Sequence, residues 1–357
     1  MSQGKLTAAL LFAVVPTVLA ACVEAPEEGD DLDLSTETQE LLGCPHWGCN
    51  SNSPVIDIWD FHELNDSGLP NAAGVVLHGL WKGGIEYQPR VTGARLRGYP
   101  KSAAVPVLEG LALDGAYFDV ETPDATHWQI QIHNVSNVVG YWIGSAGPYN
   151  ETYELLYTKP GWGLRPLCKN PPGRVDGEGR IWGRQYEALI YTGDRYNAET
   201  FEVTATDYRT TTGWFNLACA GSALAKLHLT RHTTAGMDST HPSNWQSRQA
   251  MLKMYAADVC GNGFSSTMQG EPLRWTNTLG WQPLPSSISS YEAIWSEDGA
   301  VCLDTHRLKD DPLWVTLNIE NQIKANCPNN QLPPPCNIPP GGAIPWAPGS
   351  YVVTANP

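Results

Sequence analysis

Apolar and polar positions change their pattern along the chain. Between Pro54 and Pro160 the apolar runs are short and are split by glycine-rich turns. Residues 75–80, 85–87, 108–113 and 117–120 are such runs, with Lys82-Gly83-Gly84 and Asp114-Gly115 as turns. Trp128, Ile130 and Ile132 alternate with Gln129, Gln131 and His133. A period of two predicts a strand there, with one buried face and one wet face. Strands at this spacing predict an antiparallel sandwich or barrel-like β region over residues 44–160.

A second region, 161–310, mixes periods. Strands are predicted at 186–191 and 201–206, and at 291–295 and 300–304 around the turn Ser296-Glu297-Asp298-Gly299. Between them, residues 214–260 have helical spacing. Leu217, Ala220, Gly221, Leu224 and Leu227 fall on one stripe. Further on, Ser243 and Gln246 form a capping box, and Trp245, Met251, Leu252, Met254, Tyr255 and Val259 make a wide apolar face. Gly261 is the expected stop. The stretch predicts two helices, each of roughly ten to sixteen residues. Beyond Asp310 proline is dense, so residues 311–357 are expected to wrap the surface as a tail, without central strands. The fold class is therefore α+β, mainly β, with the β region followed by a disulfide-stabilised module carrying two helices.

Ala257-Asp258-Val259-Cys260, followed by Gly261-Asn262-Gly263, resembles the Ala-Asp-Tyr-Cys-Gly-x-Gly signature of bacterial ADYC-domain proteins. Residues 215–226 and Asp298-Gly299-Ala300-Val301-Cys302 are similar to the same family. Val259 stands where the family has tyrosine. The family also implies cysteines at Leu227 and Met251, so one disulfide between the two helices is replaced here by apolar side chains. The resemblance implies a module of unknown function and brings no mechanism with it.

Cysteine usage and the N-terminus add a location. Residues 1–21 have a basic Lys5 and an apolar run from Leu6 to Leu19, too short to span a bilayer comfortably. The segment ends Leu19-Ala20-Ala21-Cys22, which resembles a lipobox and makes Cys22 the expected lipid attachment site. Residues 22–43 follow as an acidic tether: 23–43 hold eight acidic residues and no Lys or Arg. Twenty-one flexible residues reach roughly 25 Å. The remaining eight cysteines are Cys44, Cys49, Cys168, Cys219, Cys260, Cys302, Cys327 and Cys336. An exported chain would oxidise them in pairs. The local spacings favour Cys44–Cys49 and Cys327–Cys336, with Cys168–Cys219 and Cys260–Cys302 for the rest. The expectation is export and lipid anchoring to a bacterial membrane, outer membrane or cell surface before inner.

Charge narrows the partners. A net charge of −15 argues against nucleic acid, which needs a basic face. Of the candidate chemistry, His228 and His232 have the i, i+4 spacing of a two-histidine metal site, with Asp238 or His241 as a third ligand. The Glu of H-E-x-x-H is missing, since Leu229 follows His228. Asp258 at a helix C-terminus opposes the dipole and calls for a backbone N–H or an arginine such as Arg274. Fourteen tryptophans, among them Trp47, Trp59, Trp81, Trp142, Trp162, Trp182, Trp275, Trp281 and Trp346 near turns, could form a binding platform or pack a small core. No complete catalytic constellation and no cofactor motif stands out. The sequence thus points to a lipid-anchored envelope protein with a non-catalytic binding or structural role, its partner an envelope polysaccharide or another envelope protein. The alternative is an envelope hydrolase, metal-assisted through His228 and His232.

Overall fold

Alternation along one strand locates the first core. Trp128, Ile130 and Ile132 point inward and are sealed, while Gln129 and His133 face solvent. The computed structural model describes residues 54–101, 106–139, 149–168, 187–197, 199–206, 213–219, 222–235, 242–267, 273–279, 290–310, 312–338, 344–346 and 348–356. The expected leader, Cys22, the tether, Cys44, Cys49, Trp47, Trp142, Trp182, Trp281, Asp238 and His241 lie outside these residues.

Strands β1 (Val55–Ile56) and β2 (Trp59–Asp60) form a small hairpin. Then come β3 (Glu63–Asn65), β4 (Val76–Lys82), β5 (Ile85–Thr92), β6 (Arg95–Pro100), β7 (Leu108–Glu109), β8 (Tyr117–Glu121), β9 (His127–Val139), β10 (Tyr149–Thr158), β11 (Arg165–Pro166) and β12 (Glu187–Tyr191). The short pair β13 (Arg195–Asn197) and β14 (Glu202–Ala205) precedes β15 (Trp214–Cys219). Helices α1 (Ala223–Leu229) and α2 (Trp245–Ala256) lead to β16 (Arg274–Asn277), β17 (Ser290–Ser296) and β18 (Gly299–Leu303). Helices α3 (Pro312–Thr316) and α4 (Ile319–Asn326) and strand β19 (Val352–Asn356) complete the chain.

One antiparallel sheet of 11 strands runs β3-β15-β12-β10-β9-β8-β4-β5-β6-β7, with β11 on β10. It contains strands from both sides of residue 160. The sheet curls on itself: Leu96 N–H on β6 donates to Tyr153 Oη on β10 (2.9 Å), and Thr192 N–H donates to the Gly93 carbonyl (2.9 Å). Between the facing parts lie Leu80, Leu96, Phe118, Trp128, Ile130, Tyr153 and Ile190. The second sheet has four strands in the order β16-β19-β17-β18, and α2 packs against it.

Three expectations are corrected. Residues 214–219 are a strand, β15, and not the start of a helix; α1 holds only seven residues. β15 lies between β3 and β12 and is buried along almost its whole length, which removes the alternation that marks a strand. The proline-rich tail also supplies a central strand, since Val352–Asn356 pairs with both β16 and β17. Its Val-Val-Thr run carries the β preference that the neighbouring prolines obscure. Finally, α2 is capped by Asn244, whose Oδ1 accepts from Ser247 N–H (2.7 Å), and it ends at Ala257 in a left-handed conformation (φ 49°) before Gly261 is reached.

The cysteines pair as Cys168–Cys219, as expected, and as Cys260–Cys327 and Cys302–Cys336. The expected Cys327–Cys336 and Cys260–Cys302 bridges are not formed. Sequence neighbours are here separated by the fold: Cys302 sits on β18, and the segment at Pro334 to Cys336 lies beside it, with Leu303 N–H donating to the Pro334 carbonyl (2.9 Å).

Candidate functional site

The Ala257-Asp258-Val259-Cys260 stretch forms the turn after α2, and it is organised around charges sealed from solvent. Asp258 and Lys253 are five residues apart across the end of the helix and join at 2.7 Å, both almost fully buried. Lys253 Nζ also donates to the Thr200 carbonyl (2.7 Å) and the Gly261 carbonyl (2.9 Å). An ammonium has three protons to give, and all three are placed. Asp258 in turn accepts from Asn262 N–H (3.1 Å) and Gly263 N–H (2.8 Å). The backbone N–H partners expected for this carboxylate are present, and its cation is Lys253, not Arg274. Burial pushes the Asp258 carboxyl up, against the pull of Lys253.

The glycines after the motif permit close approach. A Cβ on Gly261 would stand 1.8 Å from the Asp298 carbonyl, and Gly261 has φ +71°. The motif loop therefore rests directly on the β17–β18 turn, and Ala300 N–H donates to the Val259 carbonyl (2.9 Å). Two of the segments that suggested the family thus meet in space.

Two more ion pairs surround α2. Arg248 grips Asp194 through Nε (2.5 Å) and Nη2 (3.2 Å), and its Nη1 donates to the Ser243 carbonyl (2.8 Å). Burial pushes the Asp194 carboxyl up to about 6 despite this arginine. Arg307 holds Glu292 through Nε (2.7 Å) and Nη2 (2.8 Å), and Nη2 also reaches the Met254 carbonyl (3.0 Å) near the end of α2. Burial alone would raise the Glu292 carboxyl; Arg307 reverses this and holds it below its ordinary value. Gln249 clamps the start of β14, accepting from Val203 N–H (2.6 Å) and donating to the Phe201 carbonyl (2.5 Å). Each charged group on α2 ties down a loop.

A serine–histidine pair lies next to the motif. Ser266 Oγ is 3.0 Å from His306 Nε2 and 2.6 Å from the Ala257 carbonyl. His306 Nδ1 accepts from Leu308 N–H (3.1 Å), so the ring's own proton is on Nε2 and is given to Ser266 Oγ. The serine proton goes to the carbonyl. This is the reverse of a nucleophile–base pair, in which the imidazole must accept from the hydroxyl. Burial lowers the His306 pKa to about 4.

Among the described residues, neither His228 nor His232 belongs to a group of three or more possible metal ligands. His228 stacks on Tyr191 at 4.0 Å, its Nδ1 lies 3.3 Å from Thr233 Oγ1, and burial lowers its pKa to about 3. In His232 both nitrogens are engaged, Nδ1 with the Thr230 carbonyl (2.5 Å) and Nε2 with Asn277 Nδ2 (3.2 Å). Among the tryptophans, Trp275 is buried, Trp59 and Trp81 are half-buried, and Trp162 and Trp346 are exposed. The Trp162 ring is already covered by Lys159 Nζ (4.3 Å) and the Arg165 guanidinium (4.5 Å).

Sequence reading missed a buried imidazole at the edge of the first sheet. His62 Nδ1 is 2.7 Å from Asp60 Oδ2, and Nε2 is 2.9 Å from the Tyr196 carbonyl. With an acceptor at each nitrogen the ring carries both protons. Burial opposes that charge, but Asp60 outweighs it and raises the pKa to about 9. Beside it Glu63 accepts from Arg195 Nε (2.9 Å) and Nη2 (2.5 Å), and Arg195 lies 3.7 Å over the Trp214 ring.

This geometry defines a mainly β protein of the α+β class, in which a helical module is built on buried, fully partnered charges. The chain belongs to the ADYC family: the ADYC domain model matches residues 110–309. No curated protein and no solved structure matches the chain. Where the family implied two further cysteines, Leu227 and Met251 are fully buried in one core cluster, with Val259 beside them in that cluster.

Proposed function

We propose that this protein is exported, carries lipid on Cys22 and serves at the bacterial envelope by binding or by structural support, without catalysis. The observation that carries the non-catalytic reading is that every charged group of the family motif points inward and is satisfied. Asp258 spends its oxygens on Lys253 and two backbone N–H groups, and Lys253 spends all its protons. Ser266 and His306 hold their protons in the wrong order for attack. Export is supported by the leader, by Leu19-Ala20-Ala21-Cys22 and by three cysteine pairs within bonding reach, with Cα separations of 5.3, 5.1 and 4.9 Å.

The anchor is tested by growing cells expressing the full chain with radioactive palmitate. Label is expected on the wild type and lost in Cys22→Ala. An unlabelled wild type would sink the lipid-anchor reading.

A further inference from the structure

A different part of the molecule carries a site that the family signature does not touch. On the outer face of the first sheet, three neighbouring strands bring His78 (β4), Glu121 (β8) and His127 (β9) together, with all three possible ligand atoms within 4.8 Å of one another. Glu121 stands directly opposite His127 in the β8–β9 register. His78 sits where the β4–β8 register slips, between Leu77 and Gly79. A bulge re-aims a side chain, and here His78 is exposed next to the buried Leu77.

The polar contacts are specific. His78 Nε2 lies 2.7 Å from Glu121 Oε2, and His127 Nε2 lies 3.6 Å from the same oxygen. His127 Nδ1 is 3.3 Å from Asp119 Oδ1. With Asp119 at Nδ1, the Nε2 edge of His127 is turned toward the Glu121 carboxylate oxygen that His78 also meets. The two imidazoles stack at 5.3 Å, which keeps their edges on one side.

We infer that His78, Glu121 and His127 form a surface site for a divalent transition-metal cation, with Asp119 as the positioning residue that orients His127. Two imidazoles and one carboxylate are a common ligand set for zinc, with at least one position left to solvent. Metal–ligand bonds of about 2.0–2.2 Å at tetrahedral angles put ligand atoms about 3.3 Å apart. The 3.6 Å pair is close to that spacing, and the 2.7 Å pair needs His78 to exchange its proton for the metal and open slightly. A carboxylate behind a ligating imidazole fixes the tautomer and strengthens the donor.

The test is a zinc titration of the detergent-solubilised full chain, stripped with chelator, against a chromophoric competitor. One equivalent is expected to bind. His78→Gln keeps the hydrogen bond to Glu121 without offering an imidazole, and it should weaken zinc at least tenfold, as should His127→Ala. Asp119→Asn should weaken it about tenfold, in the range for a lost outer-shell partner. His133→Ala, an exposed histidine further along β9, should leave binding unchanged. The three histidines are exposed and Asp119 is half-buried on the same outer face, so far-UV circular dichroism of the metal-free variants should match the wild type. Absence of stoichiometric binding, or binding that His78→Gln and His127→Ala leave intact, would overturn the assignment.

Discussion

Across the middle of the curled sheet the large sealed side chains are apolar and buried charge sits at its β3 edge, at His62 and Glu63, whereas around α2 three ion pairs are sealed inside the core. Away from that edge the sheet needs no such help. Its backbone groups pair strand to strand, and alternation delivers one apolar side chain in two to the interior. α2 is buried on nearly all sides, and the loops that meet it, at residues 194, 200, 243 and 261, present carbonyls and carboxylates without sheet partners. A buried polar group must find a partner. Arg248, Gln249 and Lys253 supply it. The contrast assigns two jobs to charge in one molecule: on the outer sheet face it meets solvent, and around the helix it closes backbone gaps.

The strongest way to break this contrast is Asp258→Ala. It strands the Lys253 ammonium and two N–H groups, and is expected to cost about 3–5 kcal/mol in urea unfolding. The double variant Lys253→Met/Asp258→Leu should lose clearly less than that. A double-variant loss equal to the sum of the Lys253→Met and Asp258→Leu losses would mean that the two side chains are not coupled.

A smaller effect comes from pH. The folded His62 pKa of about 9 lies above its ordinary 6.5. The stability it contributes is therefore complete below about 6.5 and is lost as pH rises through about 9, a loss on the order of 1–3 kcal/mol. Its partner Asp60 is pushed up by burial, but His62 outweighs this and the carboxyl is held low, so its contribution fades as pH falls. Denaturation midpoints from pH 7 to 9.5 should decline in the wild type and decline less in His62→Gln.

Smallest should be Ile130→Val in the apolar core, about 1 kcal/mol for one buried methylene, with no pH dependence. A loss rivalling that of Asp258→Ala would remove the distinction between the two cores.

Much of the first sheet was legible because its strands have one wet face: 128–133 and 117–120 are found where alternation or turns put them. β15 was not, because burial on both faces leaves Phe215, Leu217 and Ala218 looking like any apolar run. The motif was legible as a motif, but the burial of Lys253 and Arg248 was not. Nothing local tells a charge that meets water from one that meets a carbonyl 53 residues away. The His78, Glu121 and His127 group was equally invisible, since it joins residues 43 apart by strand register and a bulge.

The position of β19 sets an order of events in time. β16 reaches β17 only through β19, and Cys260 and Cys302 find their partners at Cys327 and Cys336. A ribosome or a translocation pore delivers these closing parts after β16, β17 and β18. The segment that carries the family signature, residues 110–309, must therefore wait for residues 352–356 before its second sheet can zip shut. Loss of residues 352–356 alone would leave that sheet split down the middle.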